Sequence, residues 1–228
     1  MHSNRYTVLY AVGMTVAVAV VLSLAATGLR ARQDANAARA RRAAILGTVM
    51  EVDPAALEQD YAAYITERVF DYAGNEVREV SAFDLDIVRE ARKAPADRLY
   101  PVYQFEGLGR THYVVPLQGG GLWGPISAYL ALESDLDTIY GVNFDHEKET
   151  PGLGAEIATP VFERRFEGKR LFDDDGAFAS VRVVKGGGNG ENPHTVDALT
   201  GATITMNGVT EMFAEELALY QQIFEELQ

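Results

Sequence analysis

Two hydroxyls and a carboxylate stand close together in Asp197-Ala198-Leu199-Thr200-Gly201-Ala202-Thr203. An apolar stripe at helical spacing follows directly: Val209, Met212, Phe213, Leu217, Tyr220, Ile223, Phe224 and Leu227. A helix that starts soon after Thr203 aims its free amides and positive dipole end at this segment, a favourable place for a phosphate. Gly201 and Ala202 are small enough for a large partner to approach the backbone. The plainer chemistry is capping, with Thr200, Thr203 or Thr205 closing the helix start, the commoner use of Thr ahead of an apolar stripe.

Glu149-Thr150-Pro151-Gly152-Leu153-Gly154 is a tight loop with one apolar side chain. It can lay Leu153 against a planar ring while its amides reach polar ring edges; otherwise it is an ordinary turn after a strand. Gly119-Gly120-Gly121-Leu122-Trp123-Gly124 holds the only Trp of the chain, in a bend where an aromatic ring can stack on a ligand. A core Trp beside a β-bulge is the competing reading. His112, His146 and His194 lack the spaced partners that hold zinc and read as surface or turn residues. Asp173-Asp174-Asp175-Gly176 lacks the calcium-loop pattern and its closing Glu, which leaves a solvated turn. Gly186-Gly187-Gly188-Asn189-Gly190 lacks the Lys and Ser/Thr of a phosphate loop and reads as a hairpin tip.

These candidates need a scaffold, and the chain outlines one. Aromatic and β-branched residues alternate over 100–105, 112–117, 126–133 and 138–144, with turns at Gly107-Leu108-Gly109-Arg110 and Ser134-Asp135, which predicts an antiparallel meander. Residues 160–166 predict a short helix and 179–185 a further strand. Upstream, 43–50 reads as a short helix, and Asp53-Pro54 opens another through Leu57, Tyr61, Tyr64 and Ile65. Residues 69–72 and 76–80 flank Ala73-Gly74-Asn75 as a hairpin, and 85–93 forms a short helix ended by Pro95. The terminal stripe packs on the sheet.

The 228 residues fit one domain with an appendage. With 20 basic against 33 acidic side chains the net charge is −13, the wrong sign for a nucleic-acid partner, and 47% hydrophobic residues exclude a disordered acidic chain. The absence of Cys removes disulfides, thiolate metal sites, iron–sulfur clusters and Cys nucleophiles together. A redox role must then rest on a cofactor held by other groups. From Tyr6 to Leu29 no residue is charged; as a helix this stretch reaches about 36 Å, enough to span a hydrocarbon core of about 30 Å. Its length favours a retained anchor over a cleaved signal peptide. Arg5 precedes the span, while Arg30, Arg32, Arg39, Arg41 and Arg42 follow it against the single Asp34. By the positive-inside rule this collar puts the large C-terminal part in the cytoplasm. Residues 1–42 hold six Arg and one Asp, which leaves 14 basic against 32 acidic side chains for the remainder, a net −18. The predicted organisation is a transmembrane anchor over 1–30, a linker with a helical and hairpin region over 31–98, and a domain over 99–228. The fold class is α+β: a single membrane helix followed by a mixed, mainly antiparallel sheet with flanking helices.

Taken together, the anchor, the Gly121-Leu122-Trp123-Gly124 run leading into Tyr129-Leu130-Ala131-Leu132-Glu133, the Glu149 loop and the Asp197 motif resemble the covalent-flavin domain of the C subunit of the bacterial sodium-translocating NADH:quinone reductases. The resemblance covers nearly the whole chain. It implies that Thr203 carries FMN through a phosphoester bond, installed by a separate flavin transferase that uses FAD and magnesium. It also implies that Asp197 is a recognition or orienting residue during transfer. Thr200, Gly201 and Ala202 are then expected to line the phosphate. Both Gly-rich loops leave the meander and can converge on one rim, so Trp123 and Leu153 are expected near the ring, with Leu122 and Gly154 beside them and Glu149 and Thr150 as polar contacts. Where the family often has Ser, Thr200 keeps the hydroxyl. The implied role is an electron-relay subunit of a membrane reductase complex coupled to sodium export, with obligatory partner subunits in the bacterial inner membrane. The chain has no Gly-rich dinucleotide fingerprint and is not expected to oxidise NADH alone. The family implies a periplasmic FMN domain, against the charge rule. The G subunit of the Rnf complex shares the flavin motif and a similar loop, but Trp123 and the 129–133 run resemble the sodium-pump subunit more. A flavin-binding sensor that holds its cofactor noncovalently is the remaining alternative.

Overall fold

The computed structural model describes residues 4–186 and 192–228. Helix α1 (Asn4–Gly47) runs unbroken through the uncharged span and the Arg collar, so the helix expected over 43–50 is the end of α1 followed by a turn. Its apolar stretch is long enough to cross a membrane, and none of it is buried. The chain forms two compact units, the first ending at Arg42 and the second covering Ala43–Gln228.

In the second unit α2 (Leu57–Tyr64) stops where Ile65 turns extended and opens β1 (Ile65–Phe70). Branching at Cβ favours that backbone. β1 pairs antiparallel with β2 (Tyr100–Gly107), so the packing does not break between residues 98 and 99. The hairpin expected around Gly74 is reduced to a turn closed on Asp71, with the single bridge of Phe70 to Glu76. Between β1 and β2 the expected helix is one short piece, α3 (Ile87–Glu90), capped by Asp86, and a 3₁₀ turn follows at Pro95–Asp97.

The meander continues through β3 (Arg110–Gly120), β4 (Pro125–Leu132) and β5 (Ile139–His146), in spatial order β1-β2-β3-β4-β5 and antiparallel throughout. Leu108 (φ 56) and Gly109 (φ 75) form the two-residue hairpin between β2 and β3. α4 (Pro160–Glu163) and the 3₁₀ turn Arg164–Phe166 are the predicted short helix. β6 (Arg182–Val184) and β7 (Thr195–Asp197) pair in parallel. The stretch from Gly186 to Gly190, read from the sequence as a hairpin tip, lies outside the described residues apart from Gly186. α5 (Thr203–Leu227) closes the chain.

Alternation along the strands sends Val102, Val115, Leu117, Leu130 and Phe144 to one face, where α5 buries Val209, Met212, Phe213, Leu217 and Tyr220. Tyr103, Val114 and Ala131 point to the other face, covered by Ile45, Leu46, Leu57 and Tyr61. With both faces covered, the inner strands read as nearly continuous apolar runs. The same burial claims His112, which the sequence reading put at the surface. On the central strand β3 it is fully enclosed, its ring stacked on Tyr140 at 4.0 Å between centroids and its Nδ1 3.3 Å from Glu133 Oε2. Burial pushes its pKa below 6.5, against the pull of Glu133.

α5 crosses β3 at two glycines. A Cβ on Gly119 would lie 2.7 Å from Met212 Cβ, and one on Gly208 would strike the carbonyl oxygen of Gly120. Gly208→Ala should therefore lift α5 from the sheet and destabilise the fold by about 1–3 kcal/mol. Chemical denaturation of the full chain in detergent reads this as a lowered midpoint; an unchanged midpoint would refute the backbone contact.

Candidate functional site

β7 delivers the chain to the 197–203 motif. Asp197 ends the strand, and Gly201 then reverses the chain at φ 83, a conformation that side chains rarely adopt. A Cβ on Gly201 would meet Leu153 Cδ2 at 2.7 Å, so the Glu149 loop lies directly against the motif. Ala202 starts α5 without a side-chain hydrogen bond, so the expected Thr cap is not formed. The three hydroxyls differ in access. Thr200 and Thr203 are exposed, whereas Thr205 is 1% exposed and donates to Glu149. Burial removes Thr205 from any reaction with an external group.

A cleft of about 800 Å³ opens beside Thr203, within the size range of small-molecule sites. Thr200, Gly201 and Thr203 form its rim, and Val183, Val196 and Met206 contribute apolar surface. Arg165, Lys169 and Lys185 line it as well. Arg165 is fixed by an Nη1 hydrogen bond to the Asp197 carbonyl (2.8 Å) and lies over the Phe162 ring. Lys169, only 8% exposed, donates from Nζ to the Asn192 carbonyl at 2.8 Å. Asp197 also lines the cleft, so three cations face one carboxylate, and the local excess of positive charge suits an anion within a strongly acidic unit.

The β3–β4 turn, closed by Gly121 N–H to the Gly124 carbonyl (2.8 Å), presents Leu122 at 46% and Trp123 at 63% exposure. Trp123 is thus no core residue. Leu153 and Ile204 are exposed beside the same motif. Glu149 is buried below them. Its Oε1 accepts the Trp123 amide (2.8 Å) and its Oε2 accepts the Thr205 hydroxyl (2.6 Å). Glu149 was expected to offer a polar contact to a ring; its carboxylate is instead engaged by protein donors and ties the loops together. Thr150 is exposed and accepts the Leu153 and Ala155 amides at its carbonyl, while Gly154 is buried against Glu149.

The FMN-binding domain family model matches residues 121–218, from the Trp123 turn through the cleft into α5. The C subunit of the Na(+)-translocating NADH-quinone reductase of Vibrio anguillarum is 32% identical over 92% of this chain and 89% of its own length. Its counterpart from Yersinia pestis is 33% identical over 91% and 86%. This chain belongs to the family of C subunits of Na(+)-translocating NADH-quinone reductases. The crystal structure of the family member from Parabacteroides distasonis matches with a TM-score of 0.78 at 38% identity, covering 86% of this chain and 96% of that one. Shewanella oneidensis NqrC matches at 0.75 and 27% identity, covering 85% and 98%.

The structure brings the Asp197 motif, the Glu149 loop and the Trp123 turn into one region. Sequence reasoning missed Arg165, Lys169 and Lys185. A signal was present: six of the 14 basic residues after Arg42 fall within 164–185 of an otherwise acidic body. It also missed Thr205 as the partner of Glu149, because a bond across 56 positions leaves no local pattern. Burial raises the pKa of Glu149, but hydrogen bonds from Thr205 and the Trp123 and Leu122 amides, with His146 nearby, outweigh it and hold the carboxyl below 4.5. The stabilisation by the charged form is present in full above the unfolded value near 4.5 and is lost as pH falls through the lower folded value. The stability gap between wild type and Glu149→Gln should therefore stay constant above that pH and shrink below it in denaturation midpoints measured across the acid range. A gap that widens with acid would contradict the sign.

Proposed function

We propose that this subunit relays electrons through one FMN esterified to Thr203, within a complex that couples electron flow from NADH to ubiquinone with sodium export. The observation that carries the reading is the exposed Thr203 hydroxyl at the first residue of α5, between a cationic cleft and an apolar rim. The residues present fit the group. Leu122, Trp123 and Leu153 offer apolar surface to a planar ring, and the uncapped amides of α5 suit a phosphate. Arg165, Lys169 and Lys185 add counter-charge. When bound, the flavin supplies one-electron transfer; the chain's own residues bind and orient it.

A Thr hydroxyl is a weak nucleophile, so attachment falls to a separate transferase with magnesium. The bond from Thr203 Oγ1 to the FMN phosphorus forms as the diphosphate bond of FAD breaks; AMP leaves, and the hydroxyl proton passes to a base on the transferase. Thr203 is accessible to that enzyme, and Asp197, at the end of β7, stands where it can be read during transfer. α1 anchors the protein, with the Ala43–Gln228 unit on the periplasmic side, where the transferase works. The Arg collar argues for the opposite side, but that rule is a bias which partner helices can override.

Coexpression with the transferase followed by intact-protein mass spectrometry should show one increment of FMN less water. Thr203→Ala should abolish it while Thr200→Ala keeps it; an increment that survives in Thr203→Ala sinks the assignment. Flavin that fluoresces in the native protein but leaves no adduct on a denaturing gel would favour noncovalent binding. Sidedness has its own test. Alkaline phosphatase fused after Gln228 should be active in cells, and an inactive phosphatase with an active cytoplasmic reporter at the same site would reverse the orientation.

A further inference from the structure

The carboxylate of Glu149 is the meeting point of three segments that are distant in sequence. It accepts the Trp123 amide from the β3–β4 turn at 2.8 Å and the Thr205 hydroxyl from the first turn of α5 at 2.6 Å, while its own loop closes over Gly201 through Leu153. Glu149 is only 4% exposed. Its space is cut to fit: a Cβ on Gly121 would lie 2.5 Å from Oε1, and one on Gly154 would fall on Oε2 and 2.6 Å from Thr205 Oγ1. The start of α5 has no side-chain cap of its own. The hydrogen bond to Thr205 therefore holds the turn that displays Thr203, two residues earlier. The rest of α5 is held independently, through Val209, Met212, Phe213 and Leu217 against the sheet.

We infer that Glu149 is a positioning residue: it presents the Thr203 hydroxyl for modification and couples the start of α5 to the Leu122-Trp123 turn, so that these two borders of the cofactor region move together. This rests on the reading of Thr203 as the attachment residue. Removing the carboxylate frees the first turn of α5 and the Trp123 turn at once and leaves the core intact. The amide variant retains an oxygen for the Trp123 N–H and a nitrogen that can donate to Thr205 Oγ1, so it should restore part of the effect.

The test uses the full chain in detergent, purified from cells lacking the transferase and then incubated with transferase, FAD and magnesium. Two signals are followed: the rate of adduct formation by mass and the emission of the protein before modification, to which Trp123 is the only Trp contributor. Glu149→Ala and Thr205→Val should slow attachment by about tenfold to a hundredfold, as expected when a reacting group is misplaced, and both should shift the Trp123 emission. Glu149→Gln and Thr205→Ser should fall between these and wild type. Should Glu149→Ala fail to fold, Thr205→Val removes the same hydrogen bond with little change of volume and carries the same expectation. Attachment at the wild-type rate in Glu149→Ala and Thr205→Val would overturn the positioning role, and slowed attachment with unchanged Trp123 emission would overturn the coupling. If wild type itself gains no adduct, the attachment reading fails, and the emission of the unmodified variants still decides whether Glu149 links α5 to the Trp123 turn.

Discussion

The backbone contact between α5 and β3 governs the geometry of the whole rim. Helices pack on sheets through side chains, which normally keep the two backbones well apart. Here Gly208 on the helix meets the Gly120 carbonyl, and Gly119 receives Met212. The start of α5 is thereby brought down beside the end of β3, which is also where the chain leaves for the Trp123 turn. Glycines that look like a flexible bend in the sequence are the footprint of a helix. Without that close approach, Thr205 could not reach Glu149, and the two sides of the motif would not share a border.

Charge is distributed to match. The unit after Arg42 is strongly acidic, yet Arg165, Lys169 and Lys185 are gathered at one cleft. A diffuse acidic surface repels anions in general; the cations gathered here, two of them fixed by carbonyl oxygens and set against the single carboxylate of Asp197, give one place a field that suits an anion. The apolar side chains Leu122, Trp123, Leu153 and Ile204 stand exposed on the turn, loop and helix start that Glu149 ties together. Large apolar groups clustered in water mark a surface that is covered in use. Cationic cleft and apolar rim meet at Thr203, and that juxtaposition suits a ligand with a planar ring at one end and a phosphate at the other.

Much of the scaffold was legible in the sequence because it is written in local patterns. Alternation over 100–144 gave the four strands of the meander and their order, since short turns leave antiparallel neighbours no other arrangement. The stripe from Val209 to Leu227 announced α5, and the uncharged run after Arg5 announced α1. The residue types of the Asp197 motif and the Glu149 loop were enough to mark the region. Tertiary structure decided what depends on contacts between distant positions. Whether Thr203 or Thr205 is accessible depends on which face of α5 meets the loop, and two hydroxyls two positions apart in the sequence do not reveal which one that is. That Glu149 faces protein donors, that β6 and β7 run parallel, that His112 is buried on a central strand and that three scattered cations share a cleft all follow from packing. Side-chain periodicity reports which residues face a neighbour; it carries no information about which neighbour, and the chemistry of this site is made of those pairings.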